Sequence, residues 1–171
     1  MTKSIFIKYL FLAALAGNCP MWGTAQQNAE LIIKFNLVAN NKPIVIADSN
    51  YYTAFDEPYK LSRLKFYVSN VSVGDEKKVD RYSNVFLIDA GGLDSATITI
   101  RSQTYSQVSF NLGVDSILNC SGAQDGDLDP LNGMFWTWNS GYIFFKLEGY
   151  SDSSRADLQR IEQHVGGYRS P

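Results

Sequence analysis

The sequence predicts an all-β fold, an antiparallel β-sandwich of the Greek-key type, and three observations carry that prediction. Large apolar residues recur at every second position in several short segments, the period of a strand with one buried face. Gly, Asp, Asn and Ser clusters separate those segments. Before Ser151 no long stretch keeps a helical period, which leaves sheet packed on sheet as the natural architecture.

Taken in order, "ELIIKFNLV" (Glu30 to Val38) places Ile33, Phe35 and Leu37 on one face. "NNKP" then breaks the chain. "KLSRLKFYVSNVSV" (Lys60 to Val73) alternates through Leu64, Phe66 and Val68, then through Val71 and Val73 after a one-residue phase shift at Asn70. Such a shift predicts a bulge or bend. Further strands are predicted at "NVFLIDA" (Asn84 to Ala90), "ATITI" (Ala96 to Ile100), "QVSFNLGV" (Gln107 to Val114) and "YIFFKLEGY" (Tyr142 to Tyr150). "SSRADLQRIEQHVGG" admits two readings. Leu158, Ile161 and Val165 suit a short helix capped by Ser153 or Ser154, and the same residues suit a loop leading into a strand that carries His164. The closing "GGYRSP" leaves the last element without a clear partner strand, so the sheet is expected to be incomplete at the C-terminus.

Size and charge bound the function. A chain of 171 residues, 45% hydrophobic and 19% charged, is a single globular domain with a substantial core. Its formal charge of -2 comes from 15 basic and 17 acidic residues with no basic run, which excludes the cationic stripe a nucleic-acid binder needs.

Residues 1–25 read as a signal peptide: Lys3 and Lys8 precede the apolar run "YLFLAALAG", and "GTA" offers small residues for cleavage after Ala25. The apolar run is about half the ~20 residues a spanning helix needs, so no permanent transmembrane segment is expected. "LAGNC" is close to a lipoprotein signal, which leaves lipidation at Cys19 as the alternative to simple cleavage. Either route exports residues 26–171 to the periplasm or cell surface. There Cys120 has no cysteine to pair with, and is either a buried apolar residue or a free thiol.

The motifs exclude much chemistry. One histidine, His164, and no "GxSxG" elbow argue against a triad hydrolase. "DAGGLD" lacks the lysine of a phosphate loop. "DGDLDPLNG" spaces three aspartates as a calcium loop does, but Pro130 stands where glycine is needed and Trp136 where a bidentate Glu is needed, so an acidic turn with Asx hydrogen bonds is expected instead. No acid, base and nucleophile can be assembled, and an enzyme is not expected. "GMFWTWNSGY" (Gly133 to Tyr142) holds both tryptophans of the exported part. Period 2 would place Met134, Trp136 and Trp138 on one strand face.

"LKFYVSNV", "FLIDA", "VSFNLGVDSILN", "GDLDPLNGMFWTWNSGYIFFKLEG" and "HVGG" follow one another in this chain in the order found in the MbnP-like family of exported bacterial copper-binding proteins, which the chain resembles over nearly all of residues 26–171. The resemblance implies a β-sandwich acting in copper acquisition, storage or delivery. It matches Trp136 and Trp138 to the family's paired tryptophans and His164 to its "HxGG" histidine. Related proteins of the CorA and MopE type hold copper through histidine and kynurenine, an oxidised tryptophan, and the oxidation is attributed to a MauG-like di-haem partner. The chemistry is consistent with this. Imidazole suits copper, whereas intact indole has no lone pair free for a metal. One histidine is fewer than such a site needs, which leaves two alternatives: a second ligand beyond these residues, or a chain that has lost metal binding. A reading of a different class is an extracytoplasmic module that binds a protein or glycan through its aromatic segment without metal.

Overall fold

The computed structural model describes residues 28–76, 78–101, 104–137 and 140–167. The expectations for residues 1–25, Cys19 and Trp138 fall outside them. The elements are β1 (Asn28–Lys34), a small hairpin of β2 (Val38–Ala39) and β3 (Lys42–Pro43), β4 (Asn50–Tyr52), β5 (Pro58–Gly74), β6 (Val79–Asp89), β7 (Ser95–Arg101), β8 (Gln107–Leu112), the helix α1 (Ser116–Cys120), β9 (Phe135–Thr137), β10 (Gly141–Tyr150) and β11 (Arg160–Gly166). Two 3-10 turns, Gly126–Leu128 and Pro130–Asn132, lead into β9. A third, Asp157–Gln159, leads into β11.

β5 is the spine of the large sheet. One of its edges pairs with β10 over Lys60–Phe66 and then with β8 over Val68–Gly74, and its other edge pairs with β4 and then β6. Every pairing is antiparallel, and β11 extends the sheet beyond β10. The expected phase shift is real. Asn70 has φ 51°, and the register slips between Ser69 and Val71. The slip returns Val71 and Val73 to the buried face that Phe66 and Val68 occupy.

That face packs on a second sheet made of β1 and β7. Ala96, Ile98 and Ile100 of β7 meet Phe66, Val68, Val71, Val73 and Ile88, with Leu31 and Ile33 of β1 and the following Phe35 at the margin. This is the sandwich. The opposite face of the large sheet is covered by α1 and the 3-10 turns, where Tyr67, Leu87, Leu128, Met134, Tyr142 and Ile143 form a second apolar core. Helix α1 is too short to show a period and was not legible as a helix. Its start is fixed by Asp115, whose carboxylate accepts from the N–H groups of Ile117 and Leu118 at 2.9 and 3.0 Å. Asn119 locks the helix to β10 by accepting from the Tyr142 N–H at 2.7 Å.

Two open alternatives are resolved, at Ser153–Gly167 and Cys120, and two expectations need correction, the unpartnered last element and the shared face of Met134 and Trp136. The segment at Ser153–Gly167 is not a helix. It turns at Asp157–Gln159 and becomes β11, so the last element does have a partner, β10. Met134 and Trp136 do not share an environment: Met134 precedes β9 and is fully buried, whereas Trp136 is 39% exposed. The register breaks here, Gly141 standing opposite Thr137 and Tyr142 opposite Phe135, so Trp136 is the extra residue and simple alternation fails. Cys120 is exposed, the free-thiol alternative rather than the buried one.

The two-stranded sheet is narrower than the sheet it covers. Beside β1, an apolar groove is left open, lined by Phe35, Phe66, Phe110, Leu112, Phe144, Phe145 and Val165. Consequently β8 alternates as a half-buried strand should, yet all six of its residues are exposed.

Two predictions follow from these contacts. A Cβ on Gly149 would run into the backbone carbonyl of Lys60, whereas one on Gly92 meets nothing within 4 Å. Gly149→Ala should cost about 1–3 kcal/mol in urea denaturation through overpacking, and Gly92→Ala should change little. Leu112→Lys and Val165→Lys should each weaken binding of an apolar fluorescent dye, while the denaturation midpoint stays nearly constant as for other surface changes.

Candidate metal-site region

The "GMFW" and "HVGG" segments are brought together by β10, which pairs with β9 through Gly141 and Tyr142 and with β11 from Ile143 to Tyr150. Both glycines of "HVGG" are demanded by this closeness. A Cβ on Gly166 would strike the Tyr142 carbonyl, and Gly167 adopts φ 84° with its Cβ position only 3.6 Å from the ring of Trp136. Gly167, just past the end of β11, therefore lies near Trp136. The "KLEG" glycine, Gly149, plays the same part on the other edge of β10 by admitting the Lys60 carbonyl.

Alternation along β10 and β11 separates two surfaces. Phe145 and Val165 pair in register and line the apolar groove. The next pair, Lys146 and His164, carries polar groups on the other face. His164 Nε2 lies 2.9 Å from Glu148 Oε1, Lys146 Nζ lies 3.5 Å from the same oxygen, and Arg63 Nη1 donates to Glu148 Oε2 at 2.7 Å. Lys146 also donates to the Gly133 carbonyl. A continuous polar chain thus runs from His164 through Glu148 and Lys146 to the residue before Met134. Lys65 adjoins it, paired with Asp89 at 3.0 Å and donating to the Asn132 carbonyl at 3.4 Å.

Glu148 is the centre of this cluster, with its side chain 19% exposed. Burial is the largest influence on its carboxyl and pushes the pKa up. The hydrogen bond from His164 and the charges of Lys146 and Arg63 outweigh it, and the carboxyl is held below its ordinary value of 4.5. Such a carboxylate is fully ionised near neutrality.

The acidic turn is a structural cap. Asp127 accepts from the Leu87 N–H at 3.0 Å and Asp129 from the Leu131 N–H at 2.8 Å, while the Asp127 carbonyl accepts from the Tyr67 hydroxyl at 3.0 Å. Tyr142 anchors the same loop: its hydroxyl accepts from the Gln124 N–H at 3.1 Å and lies 2.9 Å from the Leu128 carbonyl. Burial pushes both phenols up, so they act as hydrogen-bond donors. The expected Asx bond forms at Asp129, and the Asp127 carboxylate is taken up by the main chain of β6.

Of the three residues singled out from sequence, Trp136 and His164 lie on adjoining segments, and Trp138 lies outside the described residues. Arg63, Lys146 and Glu148 were missed. They come from different strands or serve as neighbours only through strand register, although "KLEG" already stood among the motif fragments.

Because folding lowers the Glu148 pKa, the stability it contributes is present above the ordinary carboxylate pKa and is lost as pH falls through the lower folded value. Wild type should therefore be more stable than Glu148→Gln near neutral pH. The gap should close in acid when melting temperatures are compared across pH, and a gap independent of pH would contradict this role.

Comparison with known proteins agrees with the motif order. The chain is similar to the solved structure of MbnP from Methylosinus trichosporium, with a TM-score of 0.65 and 18% identity over 82% of this chain and 63% of that one. At that identity the likeness establishes the all-β sandwich fold, and the chain spans a little under two thirds of the length of the structure it matches. No curated protein matches. The MbnP family model matches residues 28–171, and on that match the chain belongs to the MbnP family.

Proposed function

We propose that the protein is an exported, non-enzymatic copper-binding protein acting in copper acquisition, storage or delivery, with its metal region where "GMFW" meets "HVGG". The observation that carries this reading is the closeness of Gly167, just past β11, to Trp136, together with the polar chain from His164 to Gly133. These join the two motifs that carry the family resemblance.

The fit of copper to these residues is that of one donor rather than a closed shell. His164 supplies an imidazole whose side chain is 24% exposed, a donor suited to copper. Among the described residues no group of three or more His, Cys, Asp or Glu comes together. Met134 is fully buried in the second core, so its thioether serves packing. A further donor is then required, and Trp136 or Trp138 is the candidate for conversion to kynurenine by a MauG-like di-haem partner. A tryptophan left intact would shield the region.

A second reading, an interaction module without metal that takes a protein or glycan partner, draws support from the open groove between Phe35 and Val165 and from the exposed ring of Trp136. Metal analysis of protein exported to the periplasm separates the two. The copper reading expects copper in the wild type and its loss in His164→Ala, with a kynurenine-type mass gain on the tryptic peptide carrying Trp136 and Trp138 when the di-haem partner is co-expressed. Equal copper in both proteins would remove His164 from the site, and no copper in either would leave the interaction module.

A further inference from the structure

We propose that the polar pocket over the break in β5 is a binding site for a small hydroxylated carboxylate, with the size and chemistry of an acidic monosaccharide. It is built on β5, β6 and β8, none of which carries His164 or a tryptophan, and it is independent of the copper reading.

Both ladders of β5 are interrupted at one level. On the β6 side Ser69 faces Val85 and Val71 faces Tyr82, so Asn70 alone stands against Ser83 and Asn84. On the β8 side Ser69 faces Asn111 and Ser72 faces Ser109, so Asn70 and Val71 stand against Phe110. Asn70 is left-handed there (φ 51°), a conformation asparagine adopts more readily than most residues. Bulges of this kind re-aim side chains, often beside binding sites. The result is a pocket of about 540 Å³ lined by Asn70, Ser72, Arg81, Ser83, Ser109 and Asn111, a volume usual for small-ligand sites. Tyr82 and Phe110 also border it. Their rings serve the sandwich side, where Tyr82 packs on the core and Phe110 meets Phe35 at 5.7 Å.

The wall is therefore polar, and Arg81 is its one formal charge. Arg81 makes no ion pair among the described residues, while Asp80 beside it pairs with Arg101 at 4.0 Å. The side chains of Asn70, Ser83 and Asn111 are also without partners among the described residues, whereas Ser72 and Ser109 share a hydrogen bond of 2.8 Å. Next along β5, Ser69 is fully buried and its hydroxyl has no partner among the described residues. Unused polar groups thus gather at the break. A guanidinium presents paired N–H donors that match a carboxylate. Serine hydroxyls and asparagine amides both donate and accept, which suits the hydroxyls of the same ligand. With no acid on the wall, a cation is disfavoured.

Titration of the exported chain with glucuronate, followed by backbone amide NMR, tests the site. Saturable shifts should centre on Asn70, Ser83 and Asn111. Glucose, which lacks the carboxylate, should bind about 10–100-fold more weakly, and so should glucuronate to Arg81→Ala, because each loses a hydrogen bond to a charged group. Asn70→Gly accepts the left-handed backbone and removes the amide, so it should fold and bind more weakly. A hexuronate trimer that binds more tightly than glucuronate supports the site with a polysaccharide end as its source, and equal affinity supports it with a free sugar. Equal binding of glucose or of inorganic phosphate overturns the proposal, as do unchanged affinity in Arg81→Ala, shifts centred elsewhere, or no saturable shift at all. None of these results bears on copper at His164.

Discussion

The structure depends on how closely three backbones approach at β10. This strand is hydrogen-bonded on both edges, to β5 and to β11, and on each edge a glycine stands where a side chain could not. Gly149 faces the Lys60 carbonyl and Gly166 faces the Tyr142 carbonyl. A methyl at either position would meet main chain, which cannot swing aside as a side chain can. Close pairing fixes the register, and register fixes which residues share a face. Arg63, Lys146, Glu148 and His164 form one polar cluster because Arg63 stands opposite Glu148 and His164 opposite Lys146, two residues apart on the same face of β10.

The large sheet therefore has two unlike faces. Toward β1 and β7 it is apolar and continues past its cover into the open groove at Phe145 and Val165. On the other side an apolar core around Tyr67, Met134 and Tyr142 lies next to a row of charges. The loop between α1 and β9 is held there by backbone groups accepting from Tyr67, Lys65 and Lys146. Of its acidic residues, Asp127 and Asp129 accept hydrogen bonds from the N–H groups of Leu87 and Leu131. The loop sets the position of Met134 and Trp136, and β11 sets that of His164.

Much of this was legible in the sequence. Period 2 located the principal strands, and the phase shift at Asn70 marked the bulge, because alternation is a local property that survives packing. Motif order was the other legible signal, and it pointed to the family and to Trp136 and His164. What could not be read was anything that depends on register between distant strands. Glu148 lies 16 residues from His164 and 85 from Arg63, and no local pattern announces that the three meet. Two local readings also failed for physical reasons. The five residues of α1 are too few to display a helical period, and the register break at Trp136 interrupts the alternation that set it beside Met134.

The central claim is that metal binding is located where β9, β10 and β11 adjoin. It is tested most directly by adding Cu(II), whose unpaired electron broadens nearby resonances, to isotopically labelled protein and mapping the signals that disappear. Selective loss at Gly133 to Trp136 and His164 to Gly167, with the β1–β7 sheet unaffected, is the predicted result. Loss centred on the acidic turn at Asp125 to Asp129, or spread evenly over the surface, would contradict the account.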